Sequence, residues 1–247
     1  MSMDQDIIRL EITDSTNRVA LDAAEQGAAH GTAVISDSQH AGRGRLGKSW
    51  ISPPGTGLYC SLVVRPKLDA AEYPQLSFVA GLAVAVTIDR IYDLNTGLKW
   101  PNDIYFSTKK CGGILIESRP AKEMSAVVGI GLNVNTEAAM FPDEISERAT
   151  SLFLQSGRKM DIESLFIELR KEVLTHIASL ETAGFAAIMK QWRQRDVFLG
   201  KRLEWLSVSG ERVVGESLGP DDQGLLHVRS DDGKIHQILS GDVTLAL

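Results

Sequence analysis

The chain opens on a short apolar alternation, Ile7-Ile8-Arg9-Leu10-Glu11-Ile12, which predicts a strand. Asp14-Ser15-Thr16-Asn17 follows with the oxygen-bearing side chains that cap a helix start, and Ala20, Leu21, Ala23 and Ala24 continue that helix until Gly27 and Gly31 end it. A β-branched stretch at 32–36 and an apolar one at 58–64 predict two more strands. Residues 76–91 are apolar almost throughout and read as a buried helix. Their longest apolar run, 76–88, contains Ser77, Gly81 and Thr87 and is shorter than the ~20 residues that span a bilayer. A strand leads into Leu98-Lys99-Trp100, a turn is predicted at Pro101-Asn102-Asp103, and Ile104-Tyr105-Phe106 forms a further short strand. The runs 113–117 and 126–134 are too short for helices and predict central strands of one sheet. Gly129 and Gly131 in the second run leave room for a close approach to its backbone.

The texture then changes twice. Leu165, Phe166, Leu169, Val173, Ile177 and Leu180 recur at helical spacing, with Glu163, Glu168, Lys171 and Glu172 on the opposite face, and Phe185, Ile188, Met189 and Trp192 mark a second helix. After Arg195, short strands alternate with Ser209-Gly210, 220–224, Asp231-Asp232-Gly233 and Ser240-Gly241. Five strands in so short a tail predict a small β-barrel, with a boundary near Val197 that divides the chain into 1–196 and 197–247.

Composition narrows the function classes. With 43% hydrophobic and 23% charged residues among 247, the sequence is neither disordered nor fibrous. The net charge of −6 argues against a general affinity for nucleic acid or an anionic membrane. Two cysteines, Cys60 and Cys111, and an opening without a basic or apolar leader pattern give a cytoplasmic expectation. Against this acidic background one interval stands apart. Between Asp37 and Asp69 no acidic residue occurs, yet Arg43, Arg45, Lys48, Arg65 and Lys67 share the interval with five glycines. Freed backbone amides and cations in one loop make a donor surface for phosphate or carboxylate.

Two familiar motifs overlap this loop, and neither has the context it needs. Gly42-Arg43-Gly44-Arg45-Leu46-Gly47 matches G-x-G-x-x-G, but Pro53, Pro54, Gly55 and Gly57 prevent the helix on which a dinucleotide site depends, and no acid follows near twenty positions on. Residues 42–49 also match G-x-x-x-x-G-K-[ST]. Asp37 to Ala41 separate the loop from the preceding strand, so the P-loop connection is absent and a nucleotide triphosphatase stays a remote alternative. The anion-binding chemistry survives both rejections.

Further along, Lys99-Trp100-Pro101-Asn102-Asp103 places a cation, an aromatic, a rigid turn and two polar side chains in five positions, Lys110 precedes Cys111-Gly112-Gly113, and Asn133 sits on an otherwise apolar strand. Each has an ordinary structural reading: core for Trp100, turn chemistry for Asn102, internal hydrogen bonding for Asn133. In combination they resemble the biotin protein ligases. The resemblance rests on Asp14-Ser15-Thr16-Asn17, Gln39 with 41–50, 99–103, 110–117 and 129–135, in that order and spacing.

The resemblance implies an α+β fold: a mixed sheet flanked by helices, as in class II aminoacyl-tRNA synthetases, with a C-terminal SH3-like β-barrel. It implies a two-step reaction in which biotin and Mg2+-ATP give biotinyl-5′-AMP and pyrophosphate, after which a lysine of a biotin carboxyl carrier domain displaces AMP. By family correspondence Arg45 and Lys110 flank the biotin carboxylate and the α-phosphate, Lys48 assists the phosphates, and Trp50 packs near the adenine. Asn102 and Asn133 contact the nucleotide. Ser15, Thr16, Asn17 and Gln39 serve the ureido ring, Arg43, Gly44 and Gly113 complete the biotin site, and Asp103 orients or deprotonates the incoming lysine. ATP with Mg2+ and biotin are substrates, and neither a resident cofactor nor a metal-ligand set is assigned. The expected partner is the carrier of acetyl-CoA carboxylase or a related carboxylase, with no membrane and a monomer or homodimer. Some such ligases double as repressors through an N-terminal helix-turn-helix domain; the 13 residues before Asp14 read as one strand, so no operator DNA binding is expected. A lipoate-type ligase on the same fold and a non-catalytic anion- or nucleic-acid-binding module remain as alternatives.

Overall fold

Apolar side chains on both faces of a strand need cover on both sides, and the residues flanking the central strands supply it unequally. In the computed structural model, which describes residues 6–120, 124–206 and 210–246, the chain runs β1 (Ile7–Thr13), α1 (Thr16–Glu25), β2 (Ala33–Gln39), β3 (Gly57–Val64), α2 (Gln75–Tyr92), β4 (Gly97–Lys99), β5 (Asp103–Phe106), β6 (Lys109–Glu117) and β7 (Ala126–Asn133). Short helices α3 (Asp143–Ser146) and α4 (Leu152–Ser156) lead to α5 (Ile162–Ala183) and α6 (Phe185–Arg193). Strands β8 (Arg202–Leu206), β9 (Arg212–Pro220), β10 (Leu226–Ser230), β11 (Ile235–Ile238) and β12 (Asp242–Leu245) follow.

The first seven strands form one mixed sheet in the order β1-β2-β3-β7-β6-β5-β4, parallel between β1 and β2 and antiparallel elsewhere. Leu58, Cys60, Leu62, Val64, Ile114, Val128, Ile130 and Leu132 face α2 and α5 in the main core. On the other face, α1 covers only one end, where Ala20, Leu21 and Ala24 meet Val34, Val63 and Val127. Helix α2 is apolar and long enough to cross a membrane by composition, yet Leu76, Val79, Leu82, Ala83 and Val84 are buried within the fold. Asp161 caps α5 by accepting from the Glu163 and Ser164 amides, as its place before the apolar periodicity implies, and Gly184 ends the helix at φ 79°.

One strand is longer than its apolar run. The sequence suggests 113–117, but β6 begins at Lys109, because a hairpin with Ser107 at φ 54° carries Lys109 and Lys110 into register with Phe106 and Tyr105. Pairing with the neighbouring strand outweighs the polarity of two lysines. The five tail strands form an antiparallel SH3-like sheet of order β11-β10-β9-β8-β12. Leu203, Trp205, Leu226, Val228 and Val243 join the same apolar cluster as the main core. At the seam, Gly224 lies against Phe78 and Phe185, and Leu98 exchanges backbone hydrogen bonds with Arg195 and Val197.

Candidate active site

The open face of the sheet is built from alternate residues of three adjacent strands. Ser61 on β3 pairs with Gly129 on β7, which pairs with Leu115 on β6; one step along, Tyr59, Gly131 and Gly113 form a second row. The β7 glycines do admit a close approach, and what approaches is the chain itself. A Cβ on Gly129 would lie 2.1 Å from Asn17 Oδ1, and one on Gly131 would lie 2.7 Å from the Trp50 indole.

The α1 end carries neutral polar groups. Gln39 Oε1 accepts from the Thr16 amide at 2.8 Å, with Thr16 Oγ1 at 3.2 Å, while Gln39 Nε2 donates to Ser52 Oγ at 2.9 Å. Ser61 Oγ lies 2.8 Å from Thr16 Oγ1 and donates to Asn17 Oδ1 at 2.6 Å. Ser15 is buried at the helix start without a capping bond from its side chain, and its amide donates to Asp14 Oδ1. Asp14 in turn pairs with Arg18, which holds its carboxyl down at about 2.

Residues 42–50 arch over the adjoining part of the face. The Gly44 amide bonds the Lys48 carbonyl at 2.7 Å and the Trp50 amide the Gly42 carbonyl at 2.8 Å, so the segment is a closed loop rather than the start of a helix. Its tip is one 3-10 turn, with exposed Leu46 at φ 55° and Gly47 at φ 74°. Two arginines tether it: Arg43 donates to Glu117 at 2.8 Å and Arg45 to Asn102 Oδ1 at 3.1 Å. Beneath lies a cavity of about 400 Å³ lined by Arg43, Gly44, Arg45, Lys48, Leu115 and Glu117.

The turn at 99–103 adjoins the loop through the bond from Arg45 to Asn102. Asn102 is pinned to β6 by its side-chain amide on the Ile114 carbonyl at 2.8 Å and by its carbonyl on the Ile114 amide at 2.9 Å. Asp103 sits between two ammonium groups, with Lys110 Nζ at 2.6 Å and Lys99 Nζ at 3.8 Å. Lys99 is buried, 5.4 Å from the centroids of both Tyr105 and Phe198, so Asp103 and the two aromatic faces compensate its desolvation. Lys110 stands over Gly113, with its Nζ 5.7 Å from the Trp50 ring centroid. Trp100 points the other way, into the core, where its indole N–H donates to the Gly224 carbonyl at 2.9 Å.

The structure thus brings Thr16, Asn17 and Gln39 together at one end, and Arg45, Asn102, Asp103, Lys110 and Gly113 at the other, with Arg43, Gly44, Lys48 and Trp50 in the loop between. Asn133 shares the face, but its side-chain amide donates to the Thr150 carbonyl at 3.0 Å. The Trp50 indole nitrogen is buried without a hydrogen-bond partner among the described residues. Sequence reasoning assigned no role to Ser61 or Glu117. A serine inside an apolar strand and an acid closing another were the signals available. Among the described residues, no group of three His, Cys, Asp or Glu side chains converges to hold a metal ion.

Comparison with known proteins identifies the family. Residues 10–135 match the Biotin/lipoate A/B protein ligase family, and 198–245 match the Biotin protein ligase C terminal domain. The chain is 34% identical to the bifunctional ligase/repressor BirA of Bacillus subtilis, over 98% of this chain and 75% of that protein. It is also 34% identical to the biotin--[acetyl-CoA-carboxylase] ligase of Paracoccus denitrificans, over 90% and 93%. The structure of the Aquifex aeolicus biotin protein ligase in complex with biotin and ATP superposes with a TM-score of 0.85 at 31% identity, covering 98% of this chain and 100% of that one. A sheet face with neutral polar groups at one end, convergent cations at the other and an arginine-glycine loop across it therefore belongs, in this chain, to a member of the Biotin/lipoate A/B protein ligase family.

Proposed function

We infer that the protein is an ATP-dependent biotin ligase that forms biotinyl-5′-AMP and then transfers biotin to a lysine of a carboxyl carrier domain. The observation that carries this reading is the placement of Arg45, Asn102, Asp103 and Lys110 around one end of a trough whose other end presents the neutral side chains of Thr16, Asn17 and Gln39. A rigid, uncharged ureido ring suits the Thr16, Asn17 and Gln39 end, and Ser15 shapes its wall. The valeric carboxylate then reaches the cations.

In the first step a carboxylate oxygen attacks the α-phosphorus of MgATP, the bond to the bridging oxygen breaks, and pyrophosphate leaves. Two anions meet, and charge grows on the phosphoryl oxygens, so fixed cations contribute most of the stabilisation. In our reading Arg45 and Lys110 flank the carboxylate and the α-phosphate, Lys48 serves the phosphates, and Asn102 and Asn133 contact the nucleotide. Trp50 packs near the adenine, and Arg43, Gly44 and Gly113 shape the biotin chain's path. In the second step the carrier amine attacks the acyl carbon and AMP leaves.

Asp103 serves the second step on this reading. Before substrates arrive it pairs with Lys110; once phosphate draws that ammonium away, its carboxylate is available to the incoming lysine. Residues 1–196 carry this chemistry and 197–247 form the smaller unit. Incubation with ATP and either biotin or lipoate tests the assignment. AMP and pyrophosphate are expected with biotin; their appearance with lipoate alone would assign the other branch of the family, and ADP would revive the P-loop reading.

A further inference from the structure

Within the ligase reading, on which this inference rests, we propose that Glu117 is a positioning residue that holds residues 42–49 over the bound adenylate. Its carboxylate closes β6 and lines the cavity, and one oxygen, Oε2, accepts from Arg43 and from Asn17 Nδ2, each at 2.8 Å. The Asn17 amide has a defined orientation because Nδ2 also reaches the Leu115 carbonyl at 3.3 Å while Oδ1 receives the Ser61 hydroxyl. Glu117 therefore joins two parts of the site, the polar end that takes the neutral ring and the loop that takes the anions.

The two arginine tethers of the loop differ in what substrate does to them. Arg45 bonds a neutral amide on Asn102. A carboxylate or phosphate competes well for that guanidinium, since a charge-assisted bond is stronger than a neutral one. Arg43 already has a carboxylate and does not gain by exchanging it. When Arg45 turns to the ligand, the Arg43 to Glu117 pair still joins loop and sheet. It also stands beside Leu115, whose row partner Gly129 seats Asn17, so the loop is anchored to the strand that forms the floor.

The pair is partly exposed, 43% at Arg43 and 25% at Glu117, so its contribution is modest and sensitive to salt. The test is the rate at which preformed biotinyl-5′-AMP escapes from the protein, followed as free adenylate after rapid filtration, with pyrophosphate release measured in the same samples. Glu117→Gln keeps the shape and removes the charge. It should speed escape about fivefold at low salt, the upper end for a partly exposed pair, with the gap closing near 1 M salt. Arg43→Gln should do the same, and the double variant should be no faster than either single, because both remove one contact. Glu117→Asp should recover part of the retention.

Unchanged escape in Glu117→Gln at low salt, or effects of the two single variants that multiply, would overturn the assignment while leaving the ligase reading intact. If Glu117→Gln does not fold, Arg43→Gln decides the question from the solvent side. Parent protein that forms no adenylate from biotin and ATP overturns the ligase reading, and this assignment with it.

Discussion

The loop at 42–49 and the turn at 99–103 meet through the Arg45 to Asn102 hydrogen bond and are supported in opposite ways. The turn is bonded on every side: Asn102 twice to Ile114, the Pro101 carbonyl to Ser77 Oγ at 3.2 Å, and Trp100 to Gly224 across the seam with the second sheet. The loop has exposed Leu46 at its tip, backbone bonds that run mainly within itself, and two arginines reaching outward. Few buried contacts mean a low cost of local opening, so the loop side suits entry and retention of ligand. A cation held beside a packed turn, as Lys110 is held by Asp103, suits transition-state stabilisation, because it already stands at the site when the phosphorus becomes pentacoordinate.

The largest effect expected from this contrast is at Lys110. Lys110→Ala should slow biotin-dependent pyrophosphate release by roughly 10²–10³-fold, the usual loss when a preorganised donor is removed. A variant adenylating at the parent rate would show that the fixed side of the site is not where the chemistry is stabilised.

Next comes the support of the turn. Trp100→Phe keeps an aromatic in the core and leaves the Gly224 carbonyl without its donor, which should cost about 1–3 kcal/mol in urea unfolding. Adenylation should fall with it, since Asn102 and Asp103 follow Trp100 in the chain. Stability loss with full activity would mean that the second sheet does not hold the turn. Deleting 197–247 is a blunter version of the same test, and it should abolish ligation because the core is continuous across the seam.

On the loop side, Arg45→Gly should raise biotinyl-adenylate escape about tenfold, roughly the strength of one charged hydrogen bond. Escaped mixed anhydride reacts with amines unaided, so a bystander protein should become biotinylated. Retention equal to the parent's would move the covering role elsewhere in the loop.

The smallest effect concerns Asp196 at the seam, where burial pushes the carboxyl up to about 6 and Oδ2 has no partner among the described residues. A carboxyl whose folded pKa is raised binds its proton more tightly in the folded state. Stability therefore falls as pH rises from about 4, where the unfolded carboxyl ionises, to about 6, and the penalty persists above that. Asp196→Asn removes the penalty and should stabilise the protein at pH 8, on the order of 1 kcal/mol, with little effect at pH 4. An equal effect at both pH values would assign the change to packing.

The elements were legible in the sequence wherever local pattern decides them. The spacing of Leu165, Phe166, Leu169 and Val173 announced α5 because a 3.6-residue period is local, and the runs at 113–117 and 126–134 were too short for helices and read as central strands. The candidate site residues were legible as clusters because arginine-glycine loops and Lys-Trp-Pro-Asn-Asp turns are contiguous. Their partners were not. Glu117 stands 74 residues from Arg43 and 100 from Asn17, and Gly224 lies 124 residues beyond Trp100.

What the sequence determined by itself was therefore the inventory: which stretches pair or coil, where cations gather in an acidic chain, and which backbone positions have room for a neighbour. Tertiary structure decided who that neighbour is. Gly129 and Gly131 leave the same space on paper, and only the sheet register assigns one to Asn17 and the other to Trp50. Likewise, one turn sends Trp100 into the core, while Asn102, two positions on, bonds Ile114 and Arg45. Alternation along a chain fixes that neighbours diverge, but which side meets solvent depends on where α1 stops and α2 and α5 begin to cover the sheet.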